Sequence, residues 1–330
     1  MTPASLRAFL DGLVRAEVRW SVMLWGPPGI GKSSVVEQVA AAHGLSLVDL
    51  RLSQLAPTDL RGLPVPENGV TRWAPPEFLP REGRGILFLD EINLSPPAVQ
   101  GVAQQLVLDR RVGSYTVPEG WFVWAAGNRK EDHAAVFDMP RPLSNRFLHL
   151  EVSPDLDAFR AHAVGRGMHE RILAFLSYRP TLLHRVDPQR PAWPSPRSWE
   201  MADALLRAEL PLDAAVGAPA AGEFEAFCKV YASLPDIAAI FRGDDVPAPQ
   251  ENSARYATTL ALALRCDGAG AAHAVRWVQR SYAAEWLQLF LHAAMEQLRA
   301  KGAMGPLAAA VGRDRELAAM YANLQRAIQA

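Results

Sequence analysis

Between residues 18 and 152 the chain sets short apolar runs against helix-like stretches. The strand candidates are Ser21–Trp25, Leu47–Leu52, Ile86–Leu89, Trp121–Ala125 and Phe147–Val152. Each is close to continuously hydrophobic, which strands covered on both faces require. Helical spacing fills the intervals, so the pattern predicts a parallel sheet with helices on its faces. Two segments break the alternation. Asp59–Pro80 is rich in proline and glycine, with Glu67-Asn68-Gly69 reading as a hairpin turn. Arg110–Trp121 holds a second hairpin, Val112-Gly113-Ser114-Tyr115-Thr116-Val117.

Past Ser153-Pro154 the spacing becomes helical throughout. Helices are predicted at Asp155–Gly165, Met168–Ser177, Arg197–Leu210, Gly222–Phe241 and Ser253–Cys266. A long amphipathic helix from Ala271 to about Arg299 follows, then a final one from Asp314 to the end. Arg185–Pro196 and Pro247–Pro249 read as connectors. The expected organisation is an α/β domain over residues 1–152 and a helical domain over 153–330.

Composition narrows the class. With 49% hydrophobic and 21% charged residues in a 330-residue chain, the protein is expected to be globular, soluble and cytoplasmic. The first eleven residues are too polar for a signal peptide, and no run of 18 apolar residues suggests membrane insertion. A net charge of −1 supplies no general field for nucleic acid or anionic lipid. Arginine makes up almost all the basic residues, lysine occurring only at Lys32, Lys130, Lys229 and Lys301; with the high alanine content, this reads as genomic bias. Cys228 and Cys266 lack metal or redox spacing and are expected to be reduced core residues. His162 and His169 could share a helix face, but no Cys, Asp or Glu stands at ligand spacing from them.

The chemistry gathers at the ends of the strand candidates. Val22-Met23-Leu24-Trp25 runs into Gly26-Pro27-Pro28-Gly29-Ile30-Gly31-Lys32-Ser33, and a helix opens at Ser34. This is G-x-x-x-x-G-K-S in its required setting between strand and helix. The glycines let backbone N–H groups turn inward on phosphate oxygens, and the helix N-terminus adds its dipole. Lys32 can then reach the β- and γ-phosphates, and the Ser33 hydroxyl can ligate Mg2+. A plain Gly/Pro turn would not need all four constrained positions.

Ile86-Leu87-Phe88-Leu89 ends in Asp90-Glu91, 58 residues beyond Lys32. A buried strand would deliver Asp90 to the metal and Glu91 to the attacking water, a pairing that favours hydrolysis over simple binding. Phe122–Gly127 ends in Asn128, an amide able to position water or merely to serve a turn. Arg146, with Arg141 just upstream, begins the last strand and could reach a neighbour's γ-phosphate; a solvated arginine fits the same pattern. Arg197 follows Pro196 at a helix start, where a cation opposes the dipole; it could close over a triphosphate or simply bear the small penalty.

Taken in order, Gly26–Ser33, Leu89-Asp90-Glu91, Asn128, Asn145-Arg146-Phe147 and Pro196-Arg197 resemble an AAA+ ATPase. The runs Leu87-Phe88-Leu89-Asp90-Glu91-Ile92-Asn93 and Thr58-Asp59-Leu60-Arg61-Gly62-Leu63-Pro64 are similar to the MoxR-like, dynein-related branch. So are Pro96-Pro97, Val99-Gln100 and Arg110-Arg111-Val112-Gly113. The likeness covers about residues 18 to 210 and matches nothing past that point. It implies a five-stranded parallel sheet of order 5-1-4-3-2, a helical lid, ATP with Mg2+ as cofactors, and a ring that is usually a hexamer.

By the same resemblance the phosphate-loop contacts run from Gly26 to Ser34, with Ser33 and Asp90 on the metal. Glu91, Asn128, Arg146 and Arg197 become the catalytic base, sensor 1, the arginine finger and sensor 2, with Arg141 a second finger candidate. The two hairpins correspond to inserts that face the central pore or client. Family members work beside a von Willebrand factor A domain protein and remodel or activate a client, which the sequence does not name. Other classes fit less well. No lysine follows an asparagine, so the guanine-reading N-K-x-D of GTPases is absent. A small-molecule kinase does not explain Asp90-Glu91, Asn128 and Arg146 together. A nucleic-acid motor is the alternative, against which stand the neutral charge and the absence of a helix-turn-helix signature.

Overall fold

A computed structural model describes residues 1–129, 136–266, 270–300, 304–311 and 318. The chain divides into two compact units, Met1–Asp155 and Leu156–Ala330.

In the first unit, α1 (Pro3–Arg15) precedes β1 (Val22–Trp25), and α2 (Lys32–Ala42) leads to β2 (Ser46–Arg51). The short α3 (Pro57–Arg61) enters the hairpin β3 (Leu63–Glu67) and β4 (Val70–Ala74). Then come β5 (Gly85–Asp90), α4 (Pro97–Leu108), the small hairpin β6 (Arg111–Val112) and β7 (Tyr115–Thr116), and β8 (Trp121–Gly127). The unit closes with α5 (Arg141–Ser144) and β9 (Leu148–Glu151).

Five strands form one parallel sheet in the order β2-β5-β8-β1-β9. Counted along the chain among those five, this is the expected 5-1-4-3-2. β8 is buried along its whole length and β5 up to Asp90, as their apolar runs demand. The rims β2 and β9 differ: most of their positions are exposed or half-buried, because an edge strand lacks a neighbour on one side. One face packs Leu6, Leu10, Val36 and Val39 of α1 and α2 against Phe88, Phe122 and Trp124. The other packs Val99, Ala103 and Leu106 of α4 against Leu87, Leu89 and Val123. The α1 helix, unread in the sequence, begins at the Thr2 cap, whose side chain accepts from the Ser5 N–H.

Asn68 and Gly69 both have positive φ, 50° and 78°, the signature of a two-residue hairpin turn. β3 and β4 are exposed at every position except Trp73. Leu63, Val65 and Val70 retain 65%, 45% and 64% of their surface, so apolar side chains face solvent. Trp73 ties the two hairpins together. The Arg61 guanidinium lies 5.4 Å over its ring, and the Ser114 hydroxyl donates to its carbonyl. A cleft of about 370 Å³ runs past Arg61, Trp73, Gln105, Asp109, Arg111 and Gly113.

The second unit is helical in its described residues: α6 (Leu156–Gly165), α7 (Glu170–Tyr178), α8 (Pro196–Arg207), α9 (Asp213–Val216) and α10 (Ala218–Ala232) come first. Then follow α11 (Ile237–Arg242), α12 (Asn252–Arg265), α13 (Ala271–Ser281), α14 (Ala284–Ala300) and α15 (Gly305–Val311). Two expected long helices are in fact pairs. Gly222–Phe241 breaks at Pro235, and the Asp236 carboxylate caps α11 by accepting from the Ala239 N–H at 3.0 Å. The Ala271–Arg299 stretch breaks at Tyr282, whose backbone is extended (φ −137°, ψ 163°) and whose ring packs on Trp277 and Trp286. The final helix expected from Asp314 lies outside the described residues, residue 318 excepted.

His162 and His169 do not share a helix face. His162 lies on α6 beside Glu200 at 3.0 Å, while His169 caps α7. Burial holds the His169 imidazole below its ordinary pKa. Cys228 and Cys266 are free thiols, half-buried and buried. Asp157, His292 and Glu296 bring ligand-type atoms within 4.8 Å of one another, a grouping the spacing argument did not find. The buried Arg160 already pairs with this group, at 2.9 Å from Glu296 and 3.9 Å from Asp157. Among the described residues no helix is long and apolar enough to cross a membrane.

Candidate nucleotide site

The parallel sheet brings the carboxyl ends of β1, β5 and β8 side by side, and the motif residues leave from those ends. Gly26, Gly29 and Gly31 all have positive φ, at 155°, 80° and 90°; the last two lie firmly in the region favourable to glycine. At Gly26 space is the stronger constraint: a Cβ would stand 2.5 Å from the Val152 carbonyl oxygen. Pro27, Pro28 and Ile30 fill the loop between, and Ile30 seals it against the sheet core. Lys32 and Ser33 open α2 with Ser34 behind them, so the first N–H groups of the helix face the loop.

Lys32 is 9% exposed and fully engaged: Nζ donates to the Gly26 carbonyl at 2.6 Å, the Pro27 carbonyl at 3.0 Å and Asn128 Oδ1 at 3.2 Å. The Asn128 contact fixes which way that amide points, leaving its NH2 group as a donor. Ser33 Oγ donates to Asp90 Oδ2 at 2.7 Å. A hydroxyl and a carboxylate oxygen at that spacing make a donor set suited to a hard cation such as Mg2+.

Glu91 follows with φ at +56°, an uncommon backbone for a residue with a side chain, costing about 1 kcal/mol. Its N–H donates to Asp90 Oδ1 at 2.8 Å, and its carboxylate accepts from Ser53 Oγ. The strained turn thus separates the two acids, Asp90 to the serine of α2 and Glu91 towards β2. Asp49 on β2 completes an acidic crowd. Partial burial of its carboxyl, then the negative charge of Asp90, raise its pKa above the ordinary 3.8.

Two residues at this end carried no assignment from the sequence. Asn93, 4% exposed, exchanges two hydrogen bonds with the backbone of Asn128: Nδ2 donates to its carbonyl at 2.6 Å, and Oδ1 accepts from its N–H at 3.1 Å. Gly127 allows this approach, since a Cβ there would lie 2.4 Å from Asn93 Oδ1. Ser53 is the partner of Glu91. Asn93 fell within a motif run yet no spacing rule flags a loop amide; Ser53 follows β2 with no local signal at all.

Arg141 opens α5 and Arg146 follows it, both exposed and without an ion pair to any described residue. Arg197 occupies the second position of α8, exposed, behind a Ser195–Ser198 capping box.

A P-loop followed by paired acids in a 5-1-4-3-2 parallel sheet defines the first unit as a nucleoside triphosphatase domain of the ATP-hydrolysing class. Residues 21–130 match the family model of the AAA domain, dynein-related subfamily. Over 141 residues the chain is 31% identical to midasin of Giardia intestinalis, an alignment covering 40% of this chain and 3% of that protein. The chain therefore spans only a small fraction of this relative. Among solved structures it resembles RuvB of Thermotoga maritima at 16% identity, covering 86% of this chain and 85% of that one with a TM-score of 0.41. NtrX of Brucella abortus with ADP is also 16% identical, covering 99% and 67% with a TM-score of 0.40. Likenesses this loose carry no argument.

Proposed function

We propose that the protein hydrolyses ATP with Mg2+ and uses the cycle to remodel or activate a client protein, working as a ring whose subunits share their nucleotide sites. The observation that carries it is the 2.7 Å bond between Ser33 and Asp90, with Lys32 and Glu91 around it. Gly26–Ser34 would wrap the phosphates, Lys32 exchanging carbonyl partners for phosphate oxygens. Ser33 and Asp90 would hold Mg2+, which when bound neutralises phosphate charge. Glu91 would orient the attacking water and accept its proton, and Asn128 would add its NH2. Arg146 would reach the γ-phosphate of an adjacent subunit in a ring, a hexamer by the resemblance, and Arg197 would be a second nucleotide-sensing arginine.

The exposed hairpins are the part of the first unit suited to a client, and a von Willebrand factor A domain protein is the proposed partner. Glu91→Gln tests the chemistry. Nucleotide affinity should stay within about twofold while turnover falls at least ~100-fold; turnover near wild type removes Glu91 from its role. Stimulation by DNA or RNA would instead favour a nucleic-acid motor.

A further inference from the structure

Trp25 is the last residue of β1 and directly precedes the phosphate loop. Its indole N–H donates to His149 Nδ1 on β9 at 2.8 Å, across a stacked pair with ring centroids 6.0 Å apart and planes 12° from parallel. An Nδ1 that accepts carries no proton, so Nε2 bears it. That nitrogen lies 2.8 Å from the Ser144 carbonyl and donates to it. Ser144 ends α5, and the same carbonyl accepts from the Phe147 N–H at 3.3 Å. Arg146 sits inside this turn, its own N–H on the Leu143 carbonyl at 3.2 Å. Phe147 closes the group with its ring edge to His149, centroids 6.3 Å apart.

An exposed arginine with no ion pair among the described residues owes its direction to the backbone that carries it. We infer that His149 is a positioning residue, tying the root of the phosphate loop through Trp25 to the turn that presents Arg146. Each subunit's nucleotide state would then bear on the arginine it offers its neighbour. This rests on the reading of Arg146 as acting in trans.

The test is subunit mixing. His149→Ala should bind a fluorescent ATP analogue normally and hydrolyse ATP about 5- to 20-fold more slowly, the scale of two lost hydrogen bonds at an exposed site. His149→Gln, which keeps a donor near the Nε2 position, should recover most of that loss. Adding Glu91→Gln subunits, inactive but carrying a sound Arg146 turn, should restore turnover at His149→Ala sites. Adding Arg146→Ala subunits should not, since their sound sites would receive only a misdirected arginine. Rescue by Arg146→Ala and not by Glu91→Gln would overturn the inference and place the effect at the variant's own loop. Wild-type turnover in His149→Ala would also overturn it. Failure of Glu91→Gln to rescue Arg146→Ala would instead remove the trans-acting arginine itself, and this inference with it.

Discussion

The carboxyl end of the sheet and the hairpin pair lie in one unit and are built on opposite terms. At the sheet end Lys32, Asn93 and Asn128 are each no more than 9% exposed, and every one is held by hydrogen bonds to other elements. The β3–β4 hairpin keeps apolar side chains in solvent and is joined to the β6–β7 hairpin mainly through Trp73. Buried polar groups tolerate few alternatives, because an unmatched donor or acceptor costs about 1–3 kcal/mol. An exposed surface has no such constraint and is free to follow its partner. The two regions therefore separate a fixed chemistry from an adjustable contact.

That contrast should break first at Asn93. Asn93→Ala leaves the Asn128 backbone unmatched in a buried place and should cost about 2–4 kcal/mol. Calorimetry would show it as a melting temperature lower by roughly 5 °C or more, with hydrolysis impaired as Asn128 shifts. A melting temperature within a degree of wild type would mean the clamp is dispensable. Trp73→Ala should act in the reverse way. Basal hydrolysis should stay within about twofold, because the site does not depend on Trp73, while trypsin cleavage after Arg72 should quicken about tenfold as the hairpin loosens. Unchanged cleavage would show that Trp73 does not join the hairpins.

The smallest effect belongs to Asp49. Its raised pKa means that the stability linked to this group is complete below the ordinary 3.8 and is lost as pH rises through the folded value. Asp49→Asn removes the neutral-pH penalty, so the variant should melt about 1–2 °C higher at pH 7, the gain vanishing near pH 3.5. A lower melting temperature at pH 7 would show that the carboxylate is favoured where it stands.

Much of this was legible in the chain. Strands β1, β5 and β8 announce themselves by unbroken apolar runs, and the acids and glycines stand at their ends where the chemistry needs them. Asn68-Gly69 declared its hairpin because few other pairs accept two positive φ angles. The helical unit was harder. Its apolar period continues across Pro235 and Tyr282, so amphipathic spacing alone joins helices that the backbone separates. Asn93 and Ser53 are ordinary polar residues whose partners, Asn128 and Glu91, lie 35 and 38 positions away. Only folding makes them neighbours.

Gly26 has a consequence beyond the phosphate. The Val152 carbonyl occupies the space a side chain at 26 would take, and the Val152 N–H is itself anchored on the Trp25 carbonyl at 2.8 Å. Three residues later the first unit ends. The opening residue of the loop is thus also the seat of the chain's exit from the sheet. An alanine there would displace the strand end at Val152 as well as the cradle, so nucleotide-binding assays alone would misread Gly26→Ala as a simple loss of affinity.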